Sequence, residues 1–390
     1  MATVVVLCMS TWFSASAVFP QVRDEWSLGS NEGSLLTIAV QLGFVFGALA
    51  SALLNLADVF PPRRVLWISA LGAAAANAGI AAAGGVEFAL PLRFLTGACL
   101  AGVYPVSLKI ISTWYRTGRG VALGIMVGAL TVGSALPHLV NGFGGIDWRA
   151  VILITSLLTA IGGVLTTVAV QEGPYPFARA TFDPRQAGQI FANRGLRLAS
   201  AGYFGHMWEL YAMWAWFLAF FSDSLVDEGF FGKDRAAALA TFAVIGIGGL
   251  GCYLGGVLGD RWGRTRTTAS AMLISASCAV IIGFVYGGPY QLVLAVGLVW
   301  GLTVVADSAQ FSTIVSELAD QAYVGTALTL QLAIGFTLTV VTIWLVPIAR
   351  DELGWRWTFA LLAPGPLVGA AAMLYLLRLP EHRLIAGGRG

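Results

Sequence analysis

Charged residues are scarce in this sequence. Of its 390 residues, 11% are charged and 57% are hydrophobic, whereas an average soluble domain has about 25% charged residues. So few charges cannot cover the surface of a water-soluble protein of this length. A net charge of +2 also provides no basic surface for nucleic acid. We therefore expect a protein that lies in a lipid bilayer and has no nucleic-acid partner.

Cysteine, histidine and catalytic motifs are also scarce. The four cysteines lie in apolar stretches without C-x-x-C spacing, which predicts buried thiols rather than a disulfide or a metal site. The three histidines are far apart in the sequence and indicate no metal cluster. The motifs G-x-x-x-x-G-K-[ST], H-E-x-x-H and G-x-S-x-G are absent. We expect neither an enzyme nor a protein with a cofactor.

Long apolar runs are what the sequence has in abundance. A transmembrane helix needs about 20 mostly apolar residues, and twelve such runs lie between the charge clusters. The first run ends in a signal-peptide-like Ala15–Ala17, but no basic residue precedes it, which favours a true helix. We number the runs as spans one to twelve: 2–20, 34–56, 64–84, 87–114, 120–142, 149–170, 198–221, 237–258, 267–286, 290–314, 324–348 and 355–378. The predicted fold is an all-α membrane protein with twelve transmembrane helices.

The basic residues favour one side of the membrane. An even number of spans places both termini on the same side, and basic residues concentrate on the cytoplasmic side. Fourteen arginines fall on the side of the termini: Arg63, Arg64, Arg116, Arg119, Arg179, Arg185, Arg194, Arg197, Arg261, Arg264, Arg266, Arg378, Arg383 and Arg389. Six basic residues fall on the other side: Arg23, Arg149, Lys233, Arg235, Arg350 and Arg356. We expect both termini in the cytoplasm and the protein in the inner (plasma) membrane.

Two landmarks recur at nearly the same distance along the chain. Asp58 follows span two and Asp260 follows span eight, 202 residues later; Trp148 opens span six and Trp355 opens span twelve, 207 residues later. Matching offsets indicate two halves of common design. We expect a first six-helix bundle over 1–170, a cytoplasmic linker over 171–197 and a second six-helix bundle over 198–390. Parallel repeats of this kind place a substrate site between the bundles, near the middle of the membrane.

The loop after span eight has a recognisable signature. Gly256–Arg264 reads GVLGDRWGR and resembles the G-x-L-A-D-R-x-G-R loop of the major facilitator superfamily, with Gly259 in place of alanine. The copy around Asp58 is degenerate. Arg93 and Gly97 in span four are similar to the R-x-x-x-G pattern of the same superfamily. The resemblance implies two six-helix bundles and secondary transport by alternating access, and it implies no particular substrate.

The loop signature predicts a conformational lock at the cytoplasmic ends of the helices. An aspartate there can pair with arginines and with the N-terminus of a neighbouring helix. A pairing that forms in one conformation and opens in another biases alternating access. The candidate lock residues are Asp58, Arg63, Asp260, Arg261 and Arg264.

Ionisable side chains at membrane depth are functional candidates because burying them is costly. Glu209 lies in the middle of span seven, one turn from His206, and a glutamate and a histidine so placed can share a proton. Asp307 in span ten and Arg93 in span four complete the predicted proton-coupling set. Lys109 lies near the inner end of its span, where extension of its amine to the membrane surface is the favoured interpretation.

Substrate contacts are predicted partly from helix position. Met213 and Trp216 share the face of Glu209 at helical spacing. The resemblance further implies that spans one, four, seven and ten line a cavity. The candidate contacts are Trp12, Ser14, Tyr104, Tyr203, Tyr211, Met213 and Trp216, with Gln41 and Gln331 as weaker candidates.

The predicted function is secondary active transport of a small molecule, coupled to protons, by a monomer. Arg119-Gly120 and Asp147-Trp148-Arg149 resemble organic-anion and nitrate/nitrite-type porters. Spans two and eight lack the arginines of nitrate porters, which favours an organic anion as substrate. A multidrug-type efflux antiporter is an alternative, although Ser134 stands where the G-x-x-x-G-P signature of those antiporters has proline. A membrane sensor without transport activity is a second alternative.

Overall fold

The structure of the protein, a computed structural model, describes residues 1–115, 119–143, 146–175, 188, 192–225, 232–320 and 323–390. The side chains of Ser30, Asn31, Ala57, Asp58 and Arg119 lie outside the described residues. In these ranges the chain is almost entirely helical and contains no strand. Ten of the described helices are long and apolar enough to cross a membrane, so the prediction of an all-α membrane protein is confirmed.

All twelve predicted runs contain helices. Spans one to six comprise Ala2–Met9 with Ser14–Ala17, Ser30–Leu53, Pro62–Gly79, Val86–Leu100 with Tyr104–Ser112, Arg119–Gly142, and Trp148–Ala169. Spans seven to twelve comprise Arg194–Ser224, Lys233–Gly246 with Gly248–Trp262, Arg264–Phe284, Tyr290–Thr303 with Ser308–Leu318, Val324–Leu353, and Trp355–Thr358 with Pro364–Leu376. Spans one and seven are not among the ten: the helices of span one are short, and span seven is rich in polar and aromatic side chains.

The two halves of the chain share breaks and contacts. The first helix of span four ends at Leu100 and that of span ten ends at Thr303, 203 residues apart, which agrees with the repeat predicted from the sequence. Trp148 donates its indole N–H to Glu25 at 2.7 Å, and Trp355 donates to Asp223 at 2.8 Å. These equivalent contacts tie the start of spans six and twelve to the segments that end spans one and seven.

The two ends of the helices differ in charge. We call the end that carries Arg63, Arg264 and Arg389 the basic end, and the end that carries Glu25 and Asp223 the opposite end. At the opposite end Arg149 contacts Glu25 at 2.5 Å. Hydrogen bonds from Arg149 and from Trp148 hold the pKa of the Glu25 carboxyl below its usual range. The carboxylate therefore stays ionised at neutral pH and holds the short helix Phe19–Trp26 against the start of span six.

The halves meet along two seams. Span two packs against span eleven, and span five packs against span eight. Most of the predicted linker lies outside the described residues, so the boundary between two bundles over 171–197 stays a prediction. Between the seams, spans four, five, seven, ten and eleven surround an open space, and this space contains most of the candidate site.

Candidate functional site

A cavity of about 1090 Å³ lies between the two halves of the chain. Its walls come from spans two, four and five on one side and from spans seven to eleven on the other. The C-terminal segment also lines it, through Ala386, Gly387 and Arg389. Ser112, Asp260 and Glu317 place one part of the lining at the basic end, whereas Tyr211 and Phe336 line the part closest to the opposite end. The cavity therefore opens at the basic end and stops near mid-membrane.

The deep end of the cavity is lined mainly by neutral aromatic and polar side chains. Tyr104, Tyr203, Tyr211, Gln331 and Phe336 lie there. Tyr203 and Tyr211 are on the unbroken helix of span seven, two turns apart, so both face the same side. Tyr104 begins the second helix of span four, directly after its break. The predictions that placed these three tyrosines at the cavity thus agree with the structure.

Six aromatic side chains close the cavity toward the opposite end. We call Trp12, Phe13, Phe44, Tyr211, Trp214 and Phe336 the aromatic cluster. Ring centroids are 4.8 Å apart for Trp12 and Phe44, 4.7 Å for Phe44 and Phe336, and 5.1 Å for Tyr211 and Phe336, within the usual range for aromatic pairs. Three rings come from each half of the chain, so opening this end requires the halves to separate the cluster.

Arg93 holds together a break in span one. The helix stops at Met9 and resumes at Ser14, which frees carbonyl groups in the membrane interior. The fully buried Arg93 donates to the carbonyl oxygens of Thr11 at 2.9 Å, Trp12 at 2.5 Å and Leu36 at 3.1 Å. Its guanidinium is thus occupied by backbone and lies away from the cavity lining. The prediction that Arg93 takes part in proton coupling is not supported by this geometry.

Two buried carboxyl groups lie in the second half of the chain. Glu209 accepts hydrogen bonds from Ser275 Oγ at 2.8 Å and from Trp300 Nε1 at 2.7 Å. His206 Nδ1 lies 2.8 Å from Asp307 Oδ1. The predicted pairing of His206 with Glu209 is therefore wrong. The reason is tertiary: span ten breaks at residues 304–307 and presents Asp307 to His206, while Glu209 is bound by spans nine and ten.

Five predicted substrate contacts lie outside the cavity lining, and one of them is the weaker candidate Gln41. Ser14 donates to Asn77 Oδ1 at 2.8 Å in the network around Arg93. Trp12 belongs to the aromatic cluster that closes the cavity. Trp216 donates to the carbonyl of Ile343 at 3.0 Å, and Met213 is fully buried. Helical spacing placed Met213 and Trp216 beside Glu209 correctly, but that face packs into the protein instead of facing the cavity.

An ion network lies at the mouth of the cavity. Arg264 contacts Asp260 Oδ1 at 3.1 Å and Glu317 Oε1 at 3.0 Å. Asp260 also lies against the N-terminus of span five in the other half, where a Cβ on Gly120 would be 2.5 Å from Asp260 Oδ1. A carboxylate is favourable at a helix N-terminus, and a larger residue at position 120 would displace the Asp260 carboxylate from this position. The Asp260 part of the predicted lock agrees with this arrangement.

The other predicted lock residues take different positions. Arg63 donates to the carbonyl oxygens of Thr167 at 2.6 Å and Val170 at 3.4 Å, so it caps the end of span six within its own half. Arg261 is exposed and has no ion pair with any described residue. The side chain of Asp58 lies outside the described residues. Arg63 thus makes its described contacts within its own half, whereas Arg264 pairs with Asp260 and Glu317.

Replacing Arg264 with glutamine should destabilise the protein. The substitution removes the shared cation of Asp260 and Glu317, at a residue that is 6% exposed, and should cost about 2 kcal/mol. Arg261→Gln, three residues earlier in the same loop, should change stability by no more than about 0.5 kcal/mol. The midpoints of thermal denaturation of the two purified variants are compared. Equal midpoints would contradict the assigned role of Arg264.

Several residues of the site were missed from the sequence. Phe44 and Phe336 lie in runs whose apolar residues are spread over all faces, so their spacing does not reveal which side meets the cavity. Ser275 and Trp300 gave no signal as partners of Glu209. Glu317 could have been found, because it is an acidic residue at the same membrane side as the arginine-rich loop after span eight.

Comparisons with known proteins identify relatives among transporters. Residues 1–335 match the profile of the Major Facilitator Superfamily. The chain is 28% identical over 195 residues to the efflux pump FUBT of Fusarium oxysporum, covering 47% of this chain and 32% of the pump. It is 26% identical over 288 residues to a probable sulfoacetate transporter, SauU, of Cupriavidus necator, covering 66% of this chain and 64% of that protein. The chain thus spans about a third of the length of the efflux pumps that it matches.

Solved structures show the same fold at low identity. The proton:xylose symporter XylE, bound to 6-bromo-6-deoxy-D-glucose, superposes with a TM-score of 0.74 at 15% identity, covering 97% of this chain and 94% of XylE. A bacterial homologue of the lysosomal transporter Spinster, in an inward-facing and occupied conformation, superposes with a TM-score of 0.69 at 16% identity, covering 97% and 95%. Together with the profile match over most of the chain, these likenesses confirm the predicted resemblance: the protein belongs to the Major Facilitator Superfamily of membrane transporters.

Proposed function

We propose that this protein is a secondary active transporter that moves a small organic solute by alternating access. The observation that carries the proposal is the cavity between the two halves. It opens only at the basic end and is closed toward the opposite end by the aromatic cluster, to which each half contributes three rings. Separation of the rings together with closure of the mouth would expose the same deep end to the other side.

The broken helices supply the moving parts. Spans four and ten break at equivalent positions beside the deep end, and Val305 and Ser308 in and after the second break line the cavity. Broken helices at mid-membrane are a common construction of transporter sites. A shift in the break of span ten would change both the shape of the cavity and the distance between His206 and Asp307.

Proton coupling is the second part of the proposal. Glu209 and Asp307 are both 2% exposed, and His206 is the nearby group that can take a positive charge. Ionising both carboxyl groups at this depth would be costly, so a proton on one of them is expected to be gained and released during transport. We assign this proton to Glu209 and Asp307, with His206 adjusting its affinity.

The relatives favour a class of solute in one case and a direction of transport in the other. The similarity to SauU, a probable sulfoacetate transporter, favours an organic anion. The similarity to efflux pumps favours export, although it covers less than half of this chain. The intact Asp260–Arg264–Glu317 network speaks against a sensor without transport activity, because its contact with span five joins the two halves. We also propose that the transporter is a monomer in the inner (plasma) membrane.

We propose that the basic end faces the cytoplasm. Labelling of introduced cysteines tests both this orientation and the opening of the cavity. In intact cells an impermeant maleimide should label Asp234→Cys at the opposite end. Gln171→Cys at the basic end and Ser312→Cys in the cavity should react only after permeabilisation. The native cysteines give little background because three of them are buried. Labelling of Gln171→Cys from outside would reverse the orientation, and a Ser312→Cys that never reacts would contradict an open cavity.

A further inference from the structure

Building on the proposed transport function, we propose that the deep end of the cavity binds an uncharged, flat organic solute with hydrogen-bonding groups on its edge. The side chains that form the walls there are those of Tyr104, Tyr203, Tyr211, Gln331 and Phe336. This solute class differs from the organic anion that the sequence resemblance favours. Three features of these walls support it: charge, hydrogen-bonding capacity and shape.

Charge is confined to the mouth of the cavity. The charged residues among the described lining are Lys109, Asp260, Arg264, Glu317 and Arg389. Arg264 is bound by Asp260 and Glu317, and Arg389 donates to the carbonyl of Asp260 at 2.6 Å. Lys109 also has contacts within the protein. A charged solute against the three tyrosines would lose its water without gaining an opposite charge, which is unfavourable.

The deep end offers hydrogen bonds to neutral groups. The amide Nε2 of Gln331 has no hydrogen-bond partner among the described residues, although the side chain is 3% exposed and lines the cavity. The phenols of Tyr104, Tyr203 and Tyr211 line the same part of the cavity. A phenol both donates and accepts, and an amide does the same through its two ends. Such a set matches hydroxyl, carbonyl and amide groups.

The shape of the deep end suits a ring. Tyr211 and Phe336 present aromatic rings whose centroids are 5.1 Å apart, and Met207 lies beside them with its thioether. Aromatic rings and methionine sulfur both pack favourably against a flat aromatic solute. Leu130 and Val127 of span five complete an apolar wall on the side of the first half.

A matched pair of probes tests the solute class. We would measure binding of 4-hydroxybenzamide and 4-hydroxybenzoate to the purified full-length protein in nanodiscs by equilibrium dialysis, at neutral pH where only the benzoate is ionised. The two probes have nearly the same shape. We expect the amide to bind with a Kd about tenfold lower, because the deep end has no counter-charge for the carboxylate.

A matched pair of variants locates the binding. Gln331→Leu should weaken binding of 4-hydroxybenzamide by about tenfold, because a buried solute group loses its partner. Gln41→Leu is the control: Gln41 is equally buried and also has an amide without a partner, but it lies outside the cavity lining. It should leave the Kd within about twofold of the parent protein.

Other results would overturn the inference. Tighter binding of 4-hydroxybenzoate, lost in Lys109→Gln, would assign an anionic solute and leave the transport proposal standing. Equal weakening in Gln331→Leu and Gln41→Leu would place binding elsewhere, and absence of binding by both probes would exclude this solute class. Failure of the transport proposal itself is detected separately, by the accessibility of Ser312→Cys and by uptake into proteoliposomes.

Discussion

Glu209→Gln is expected to abolish proton-driven accumulation of solute. Glutamine has the shape of glutamate and can keep both contacts, by accepting from Trp300 and donating to Ser275 Oγ, but it cannot gain or lose a proton in the relevant range. Transport that depends on a proton cycle at this carboxyl should therefore stop, while exchange of solute across the membrane should continue. The accumulation ratio, about tenfold for each coupled proton at a pH difference of about one unit, should fall to about one.

The measurement compares two assays in proteoliposomes. Uptake driven by a pH gradient should disappear in Glu209→Gln, and counterflow without a gradient should persist, with radiolabelled 4-hydroxybenzamide and sulfoacetate as the two solutes tested. Ser275→Ala is the control, since it removes one donor to Glu209 and leaves the carboxyl able to ionise. Accumulation at the parent rate in Glu209→Gln would move the coupling proton to Asp307, for which Asp307→Asn gives the same test.

His206 should act differently from the two carboxyl groups. Its Nδ1 lies 2.8 Å from Asp307 Oδ1, whereas Glu209 accepts from Ser275 and Trp300, so its removal takes away a neighbour of Asp307 without deleting a carboxyl. His206→Ala should shift the pH at which uptake is fastest while uptake itself continues. An unchanged pH profile would separate His206 from coupling.

Arg93→Met is expected to cause the largest loss of stability. The substitution keeps an unbranched side chain but leaves the carbonyl oxygens of Thr11, Trp12 and Leu36 without their donor inside the membrane. Each buried carbonyl left without a partner costs about 1–3 kcal/mol. Relief from burying the guanidinium offsets part of this sum, so we expect a net loss of about 3 kcal/mol.

Thermal denaturation in detergent measures this effect, and two further variants serve as comparisons. Arg93→Lys keeps a charge but has no planar fork to reach three carbonyls at once, so its midpoint should lie between those of the parent and Arg93→Met. Arg235→Met replaces an exposed arginine at the opposite end and should not lower the midpoint. If Arg93→Met melts like the parent while transport is lost, Arg93 serves the solute or the proton and not the break in span one.

The sequence alone was enough to predict the architecture, because the membrane constrains the backbone of each segment separately. A run of about 20 apolar residues must form a helix, since the backbone has no other hydrogen-bond partners in lipid. Every predicted run contains helices in the structure, and the repeat seen at Asp260 and Trp355 reappears in the equivalent breaks of spans four and ten. The major facilitator signature at Gly256–Arg264 could also be identified from the sequence, because a loop motif is continuous in the chain.

The contacts of the ionisable groups needed the tertiary structure. Helical spacing correctly placed His206 and Glu209 on one face of span seven, but it could not reveal that the break in span ten brings Asp307 to His206. Likewise, the sequence placed Arg93 in the proton-coupling set, and its carbonyl partners on spans one and two were apparent only in the structure. A buried polar side chain takes the partners that neighbouring helices offer, and those helices are distant in sequence.

What the sequence determined, then, is which segments cross the membrane, that they form two related halves, and which tyrosines face the space between them. Only the tertiary structure decided which end of that space is open and that six rings close the other end. It also showed that Gln331 lies in the wall, with an amide nitrogen that no described residue pairs. The physical reason is that helix formation depends on the local solvent of the chain, whereas a cavity is defined by how whole helices tilt and pack against one another.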